Sequence, residues 1–522
     1  MLSMKQISVI SYIRPIGNIL LLLAIIAEMI FFPSKDNLLG CGMTLICWIL
    51  FVNLGLKKDI IHKHFFAWLM FLSMSLYRIL PLYATLLEGK PISYGFYNST
   101  DTFTGESFLY IISLFSFLLA VKRRHYNMKM HHLLNKIDYY DPVPDLALWI
   151  LGLIGLFSLF FVLASRVQIG DVFGKFLSAF IFLQNAPILL FFPSLYKKKS
   201  NKLFNNNIYL WVYFIVLVIV NFATNSRFAV LIPFGTFVLL FILVYVVHPK
   251  RMAIISSKYI ILSLLVLFFV FPFLSDISVA ILAVRYYRAE SGPIEMFKRT
   301  LDVYLDSDQM EKLYKEKEAL SNRGGDEDYK EEWTENYVNN FALNRYCNIR
   351  VTDATLYYKN QIGNANPKML GFFKESVLKL LPSPVLHSLG LSVDKSKTFS
   401  QGDYLYYLAT DNYSALGSLR VTSHLADGLA TFGYFYFPIQ FVLFYICFLI
   451  LDCFSVLTKS GIRFSVFGLI SIFSFFGMFK NANGCFGELS FILREFPQFI
   501  LISWIGLRVS MIIVNGAKQL FK

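Results

Sequence analysis

The 522-residue chain is 56% hydrophobic and 17% aromatic, and only 16% of its residues are charged. Soluble domains carry about 25% charged residues, so this composition and a mean hydropathy of +0.56 exclude a soluble globular protein. The net charge of +14 does not indicate nucleic-acid binding either, because residues 285–425 hold 18 basic and 19 acidic side chains. The basic excess lies in short loops between apolar runs, where it faces anionic lipid headgroups. We therefore predict an all-α integral membrane protein and expect no nucleic-acid partner.

Apolar runs that are long enough to cross a bilayer as helices recur along the whole chain. They cover residues 16–32, 38–56, 65–86, 106–121, 145–165, 172–195, 208–223, 228–247, 259–283, 429–451, 464–479 and 497–514. With the N-terminus in the cytoplasm, the short inner loops hold 21 basic residues and the short outer loops hold six. This distribution follows the positive-inside rule. We predict about twelve transmembrane helices with both termini cytoplasmic.

The same topology divides the chain into three regions. Residues 1–284 carry spans one to nine, residues 285–428 form one large extracytoplasmic loop domain, and residues 429–522 carry spans ten to twelve. Alternating charges over Gln309–Leu320 and the amphipathic pattern of Pro367–Leu381 predict two helices within the loop.

The six cysteines are scattered along the chain, and none belongs to a pair or a Cys/His set with the spacing of a zinc site. Most of them fall in or beside apolar spans, where cysteine is ordinarily a small core residue. Cys347 and Cys485 fall on the predicted outer side, and the sequence leaves open whether these two form a disulfide.

Three arginines lie at the outer ends of predicted helices. Arg227 follows a tight outer turn between two apolar spans, and Arg285 and Arg288 come just after the ninth span. The last two are three residues apart and share one helix face, so both guanidinium groups could meet one anion. Arginine forks match phosphate oxygens, which makes all three candidates for binding a diphosphate. Two ordinary roles stay open: Arg227 as a snorkelling helix anchor, and an ion pair of Arg288 with Glu290 or Asp276.

A second group of polar residues lies where the chain returns to the membrane after the loop. His424 is at an outer helix end, between Arg420 and Asp427. A neutral imidazole there can take a proton from a hydroxyl, and Asp427, three residues later, is the candidate that orients the ring. We therefore treat His424, Asp427 and Arg420 as candidate catalytic residues. The alternative is a histidine that is simply solvated at the membrane interface.

Three of these features together resemble a known class of membrane enzymes. They are a Ser-Arg pair that opens an apolar span at Arg227, a large outer loop late in the chain, and the run HLADGLATFGYF that begins at His424. The combination resembles the Wzy-type O-antigen and capsule polymerases and is similar to the related O-antigen ligases of the GT-C glycosyltransferase class. The ligase run begins His-Asn and ends Gly-x-x-Gly, whereas here Leu425 follows His424 and Tyr436 stands in place of the second glycine.

The resemblance implies glycosyl transfer at the outer face of the bacterial inner membrane. A growing glycan on undecaprenyl diphosphate would be transferred to a lipid-linked repeat unit, which lengthens an O-antigen or another surface polysaccharide. The implied roles are proton acceptance for His424 and stabilisation of the leaving diphosphate for Arg227, Arg285 and Arg288. The implied partners are the lipid-linked donor and acceptor, membrane lipids and a chain-length regulator. No cofactor is implied, and the sequence has no loop pattern of a Mg²⁺ or Ca²⁺ site, so we expect a metal-independent reaction.

Two other functions stay open. An O-antigen ligase differs from a polymerase in its acceptor, and no residue of the sequence distinguishes the two acceptors. A polytopic transporter or flippase of lipid-linked oligosaccharide also fits twelve spans with both ends inside. Major-facilitator carriers, however, resemble two six-span halves joined by a long inner loop, whereas the long hydrophilic segment here follows span nine and is predicted to lie outside. The polymerase is therefore our first prediction.

Overall fold

The computed structural model describes residues 9–122, 124–165, 172–197, 202–222, 224, 227–248, 276–284, 287, 292–322, 337–395, 399–459, 461–480 and 484–520. Helices dominate the first half of the chain. Their bounds are α1 Val9–Phe31, α2 Lys35–Leu50, α3 Lys58–Lys63, α4 Phe65–Leu87, α5 Ser99–Lys122, α6 Arg124–Lys136, α7 Asp145–Ser165, α8 Val172–Ser178, α9 Pro193–Tyr196, α10 Ile208–Phe222 and α11 Arg227–Val247. A π-helical turn, Phe51–Gly55, continues α2, and a 3₁₀ helix, Ile181–Phe191, follows α8.

The second half of the chain is also helical, with one short β-hairpin. The helices are α12 Pro293–Leu305, α13 Ser307–Asn322, α14 Phe341–Cys347, α15 Arg350–Ile362, α16 Pro367–Leu380, α17 Ser383–Ser388, α18 Gln401–Thr410, α19 His424–Phe432, α20 Tyr436–Asp452, α21 Val466–Ile470, α22 Ile472–Gly477, α23 Gly484–Ser490 and α24 Phe496–Leu520. Strands β1 Ser455–Thr458 and β2 Gly461–Phe464 pair antiparallel, with Ser455 opposite Phe464. This hairpin is a small departure from the predicted all-α fold.

Within the described residues, nine helical stretches are long and apolar enough to cross a membrane. They are Ile13–Phe31, Lys35–Gly55, Phe65–Leu87, Ser99–Lys122, Asp145–Leu163, Phe173–Phe191, Phe228–Val247, His424–Asp452 and Gly484–Gly516. The predicted α-helical, membrane-embedded architecture is therefore confirmed. The count of twelve and the side that each loop faces stay predictions, because the ninth predicted span, 259–283, lies largely outside the described residues. Helix α10 is apolar but has only 15 residues.

Helix α1 shows how the two faces of a spanning helix differ. Ile19, Leu22 and Leu23 are each more than half exposed, as expected for side chains that face lipid acyl chains. The opposite face carries Leu21 and the fully buried Glu28. The Glu28 carboxylate accepts a hydrogen bond from the backbone N–H of Ile92, at 2.8 Å, so the carboxylate inside the bundle has a partner.

The structure differs from the predicted span 464–479. These residues form the end of β2 and two short helices, α21 and α22, instead of one continuous helix. The Ser465 side chain caps the start of α21. Phe467, Ile470 and Ile472 are at most 1% exposed, so the run is apolar because protein encloses it and not because it faces lipid. Apolar runs shorter than about 18 residues can be buried core segments instead of spans.

Both helices predicted within the loop are present, as α13 and α16. Asn366 begins α16, because its side chain accepts hydrogen bonds from the N–H groups of Lys368 and Met369. Pro367 takes the first helical position, where its missing N–H costs nothing. The helix ends at Leu380, two residues before Pro382. Capping and proline position thus explain both ends of this helix.

The loop helices after residue 337 are packed on the spanning helices and share their core. Helix α14 packs on α4, and α15 packs on both α5 and α19. Cys347, Ile349 and Leu356 belong to the same buried apolar cluster as Phe71 in α4. The contact between these helices and the bundle therefore resembles a continuous core rather than a hinge between separate domains.

Candidate functional site

Buried hydrogen bonds attach the loop to the start of α5 and to the segment that precedes it. The Asp353 carboxylate of α15 accepts from the N–H groups of Tyr97 and Asn98, at 2.6 and 2.9 Å, and from the Thr102 hydroxyl, at 3.0 Å. A carboxylate at the start of α5 also lies at the positive end of that helix dipole. The next side chain, Thr352, donates to Glu106 at 2.6 Å. This attachment fixes α15 where α19 begins.

Helix α19 begins at the same junction and places His424 inside it. Ser423 caps α19, since its hydroxyl accepts from the N–H of Ala426, at 3.1 Å. The same hydroxyl is 2.8 Å from the Thr355 hydroxyl of α15. His424 is only 2% exposed. The predicted alternative of a solvated interfacial histidine therefore does not match its environment.

Two contacts of the ring nitrogens help to orient His424. Nε2 lies 3.2 Å from the carbonyl oxygen of Phe479, and because a carbonyl only accepts, Nε2 carries a proton and donates it. Nδ1 faces a carboxylate oxygen of Glu488, at 3.6 Å. Nδ1 is therefore the proton acceptor of the neutral ring, and Glu488 lies where it can stabilise the ring once Nδ1 is protonated.

Asp427 occupies a different position from the one that the sequence suggested. It is buried one helical turn after His424, against the start of α23, where a Cβ built on Gly484 would come within 2.2 Å of a carboxylate oxygen. Gly484 also has a positive φ of 45°, a conformation that favours glycine. No hydrogen bond links Asp427 to the ring within the described residues. Glu488, and not Asp427, is the carboxylate beside the imidazole.

Several buried polar atoms around His424 have no hydrogen-bond partner among the described residues. They are His424 Nδ1, one oxygen of Asp427, both carboxylate oxygens of Glu488 and the Tyr436 hydroxyl. Each buried polar atom left unpaired costs about 1–3 kcal/mol. A concentration of such atoms at one place is typical of a functional site rather than of a region selected only for stability.

Contacts within the loop hold Arg420. Its guanidinium group lies over the Tyr406 ring at 4.5 Å, contacts Asp403 at 3.7 Å and donates to the carbonyl of Ala415 at 2.8 Å. Burial alone would raise the pKa of Asp403, but hydrogen bonds, including one from the Arg420 N–H, outweigh burial and lower it. Asp403 thus stays ionised and holds residues 415–420 in place. This arrangement gives Arg420 a structural role in the loop, and its catalytic role stays a prediction.

The three predicted diphosphate-binding arginines are only partly covered by the structure. Arg227 is the first residue of α11, and its side chain lies outside the described part of the chain. Arg285 and Arg288 lie outside the described residues altogether. Their roles stay predictions.

Two cations that sequence reasoning did not single out lie beside this junction. Lys480 is 8% exposed, and its ammonium group is 4.1 Å from the centre of the Tyr346 ring. The Arg345 guanidinium lies over the ring of Phe228, at 5.3 Å. Phe228 directly follows Arg227, and Lys480 directly follows Phe479, whose carbonyl holds His424. The sequence could have drawn attention to Lys480, because it is one of the few basic residues in the predicted short outer loops.

A buried ion pair lies in the adjacent spanning helices. Arg78 of α4 and Glu106 of α5 are 2.7 Å apart, and each side chain is 3% exposed. Arg78 also donates to the carbonyl of Met74, at 2.8 Å. Because Glu106 accepts from Thr352 as well, this pair links two spanning helices to the loop.

All six cysteines are free thiols, so Cys347 and Cys485 do not form a disulfide. In the part of the chain that the structure describes, no three His, Cys, Asp or Glu side chains are grouped so that they could hold a metal ion. The junction holds an oriented imidazole, buried carboxylates and nearby cations. Comparison with protein-family models, with curated proteins and with solved structures gives no significant match to this chain.

Proposed function

We propose that the protein is a membrane-embedded glycosyltransferase that joins undecaprenyl-diphosphate-linked repeat units into O-antigen or another surface polysaccharide. The observation that supports this most is the state of His424: a buried imidazole with its donor nitrogen fixed by the Phe479 carbonyl and its other nitrogen beside Glu488. The ring lies at the junction of the loop with the spanning helices, which is where a lipid-linked sugar would enter a protein site.

The reaction forms one glycosidic bond and breaks one bond to diphosphate. A hydroxyl oxygen of the acceptor sugar attacks the anomeric carbon of the donor, and the bond from that carbon to the diphosphate oxygen breaks. His424 Nδ1 takes the hydroxyl proton, and the resulting imidazolium is stabilised by Glu488. Because the ring is closed off in this structure, the acceptor reaches Nδ1 only after a local rearrangement at the junction.

Glu488 takes the orienting role that the sequence suggested for Asp427. A carboxyl group that faces an imidazole can orient the ring and stabilise the protonated form that arises during the reaction. Asp427 lies against Gly484 instead. We therefore expect a larger loss of rate from Glu488→Gln than from Asp427→Asn.

Charge that develops on the leaving diphosphate needs fixed cationic partners. Arginine forks are suited to this task and require no metal ion. Arg227, Arg285 and Arg288 keep this proposed role, and we expect the reaction to proceed in the presence of a chelator. The location that follows from this proposal is the bacterial inner membrane, with the site facing outward.

A transporter or flippase of lipid-linked oligosaccharide is the second candidate. The observation that favours it is the set of ionisable groups buried within the spanning helices, since Arg78, Glu106, Asp427 and Glu488 are each at most 2% exposed. Such residues often mark ion or substrate pathways in transporters. An O-antigen ligase would use the same chemistry as the polymerase with a lipid A core acceptor.

The test uses purified protein in nanodiscs, supplied with lipid-linked repeat units. His424→Ala should bind the donor with unchanged affinity but form glycosidic bonds about 10²–10⁴ times more slowly. The matched control is His387→Ala, because His387 is an exposed histidine of the loop helix α17. Equal rates for the two variants would remove His424 from the reaction. A loss of donor binding with unchanged turnover would make it a substrate-positioning residue.

A further inference from the structure

A cluster of hydrogen-bond donors lies next to His424, and no acidic acceptor pairs with it among the residues that the structure describes. We call Lys480, Arg345 and Tyr346 the donor cluster. The Lys480 ammonium group is buried against the Tyr346 ring, and the Arg345 guanidinium lies at the exposed rim beside Phe228. The Tyr346 hydroxyl is buried and has no hydrogen-bond partner among the described residues. All three side chains carry donors, and two of them carry positive charge.

Several other described cations that lie over aromatic rings also contact a carboxylate. Examples with their acidic partners are Lys90 with Glu88, Arg299 with Glu295, and Arg508 with Asp138. In the described residues, Lys480 and Arg345 contact no carboxylate. Instead, the charge that acts on Lys480 is the like charge of Arg345. The donor cluster therefore differs from the structural cation sites of the same molecule.

A buried ammonium group without a counter-ion is costly, because burial removes its hydration and nothing replaces it. A second cation nearby increases this cost. Accordingly, burial and the Arg345 guanidinium lower the pKa of Lys480 to about 7. An anion between the two cations would remove the repulsion, restore the charge of Lys480 and give the Tyr346 hydroxyl an acceptor. The cluster is thus arranged for an anion, and none of the described residues provides one.

We propose that Lys480, Arg345 and Tyr346 form a binding site for a phosphate group. Phosphate oxygens accept several hydrogen bonds at once, and the guanidinium fork, the ammonium group and the phenol supply donors of suitable kinds. In the proposed function, on which this identification of the ligand rests, the phosphate belongs to the lipid-linked donor. The order Phe479–Lys480 along the chain then places the leaving diphosphate next to the base, His424.

Two sources could supply the phosphate group: the headgroup of a lipid-linked diphosphate, or a free inorganic anion. Binding is measured by calorimetry at pH 6.5, on the full-length protein in nanodiscs of phosphatidylcholine. The probes are undecaprenyl diphosphate and inorganic pyrophosphate. If the lipid headgroup is the source, undecaprenyl diphosphate binds more tightly than pyrophosphate. Equal affinities identify the site as one for free phosphate groups, which supports the site and overturns its assignment to the lipid-linked donor.

The decisive variants are Lys480→Met and Arg345→Gln. Loss of one charge-assisted contact should weaken the tighter probe by about tenfold to a hundredfold, whereas Lys480→Arg should retain most of the affinity. The matched control is Lys90→Met, which removes a lysine that is equally buried over a tyrosine but has Glu88 as its partner. Thermal unfolding of each variant verifies that it is folded.

Unchanged binding of both probes to folded Lys480→Met would overturn the proposal. This readout is independent of polymer formation. A wild-type protein that binds undecaprenyl diphosphate through Lys480 but makes no polymer would contradict the proposed function and leave the phosphate site standing. If Lys480→Met makes polymer at the wild-type rate and binds undecaprenyl diphosphate with the wild-type affinity, the phosphate site is contradicted and the proposed function still stands.

Discussion

The buried ion pair between Arg78 and Glu106 offers the strongest prediction about stability. Glu106→Gln removes the charge that compensates Arg78, and both side chains are 3% exposed, so water cannot replace the lost partner. Breaking one side of such a pair costs about 3–5 kcal/mol. The Thr352 hydroxyl, which donates to Glu106 at 2.6 Å, can still donate to the glutamine carbonyl. The loss should therefore come from the uncompensated guanidinium group.

The double variant Arg78→Met/Glu106→Leu separates this cause from a simple loss of packing. Removal of both charges should recover most of the stability, because replacing a whole buried ion pair with apolar side chains is often neutral or stabilising. The free energy of unfolding is measured in bicelles, with the same protocol for wild type, single and double variants. A Glu106→Gln protein as stable as the wild type would show that the pair is not coupled as proposed, and so would a double variant as unstable as the single one.

Three further predictions concern the loop, the site and pH. Asp353→Asn should lower stability by about 1–3 kcal/mol and speed proteolysis after residue 337, because the amide cannot accept all three hydrogen bonds; unchanged proteolysis would contradict this. Glu488→Gln should slow polymer formation more than Asp427→Asn does, as measured by initial rates in nanodiscs. Since the lowered pKa of Lys480 leaves the ammonium charged only below about pH 7, sulfate, whose charge is constant, should bind about tenfold more weakly per pH unit above 7. Over the same pH range, the stability of the wild type relative to Lys480→Met should rise by about 1.4 kcal/mol per pH unit. The reason is that Lys480 still binds a proton in the unfolded chain but has lost it in the folded protein. A flat profile in both measurements would contradict the role of Lys480.

The spanning helices could be predicted from the sequence because uninterrupted apolar runs of spanning length are typical of helices in a bilayer. The predicted runs 65–86 and 145–165, for example, correspond to α4 and α7. The run 464–479 shows the limit of this reasoning. Side chains that face lipid and side chains enclosed by protein are equally apolar, so only the burial of Phe467 and Ile470 inside the protein distinguishes a span from a core segment.

The candidate site was only partly predictable for a similar reason. His424 stood out because histidine is rare in this chain, and Asp427 was a local neighbour on the same helix. Glu488 lies on α23 and reaches His424 only through the tertiary packing of α19 against α23. The approach of Arg345 and Lys480 likewise depends on how α14 packs against the segment after α22, which no local pattern encodes.

The proposed function requires that the protein itself makes glycosidic bonds at the expense of lipid diphosphate. The most direct measurement supplies purified wild-type protein in proteoliposomes with repeat units linked to undecaprenyl diphosphate, and no other enzyme. We expect a ladder of longer lipid-linked glycans, with one undecaprenyl diphosphate released for each bond formed. Movement of intact lipid-linked units across the bilayer, without any ladder or release of undecaprenyl diphosphate, would contradict the proposed function and identify the protein as a flippase.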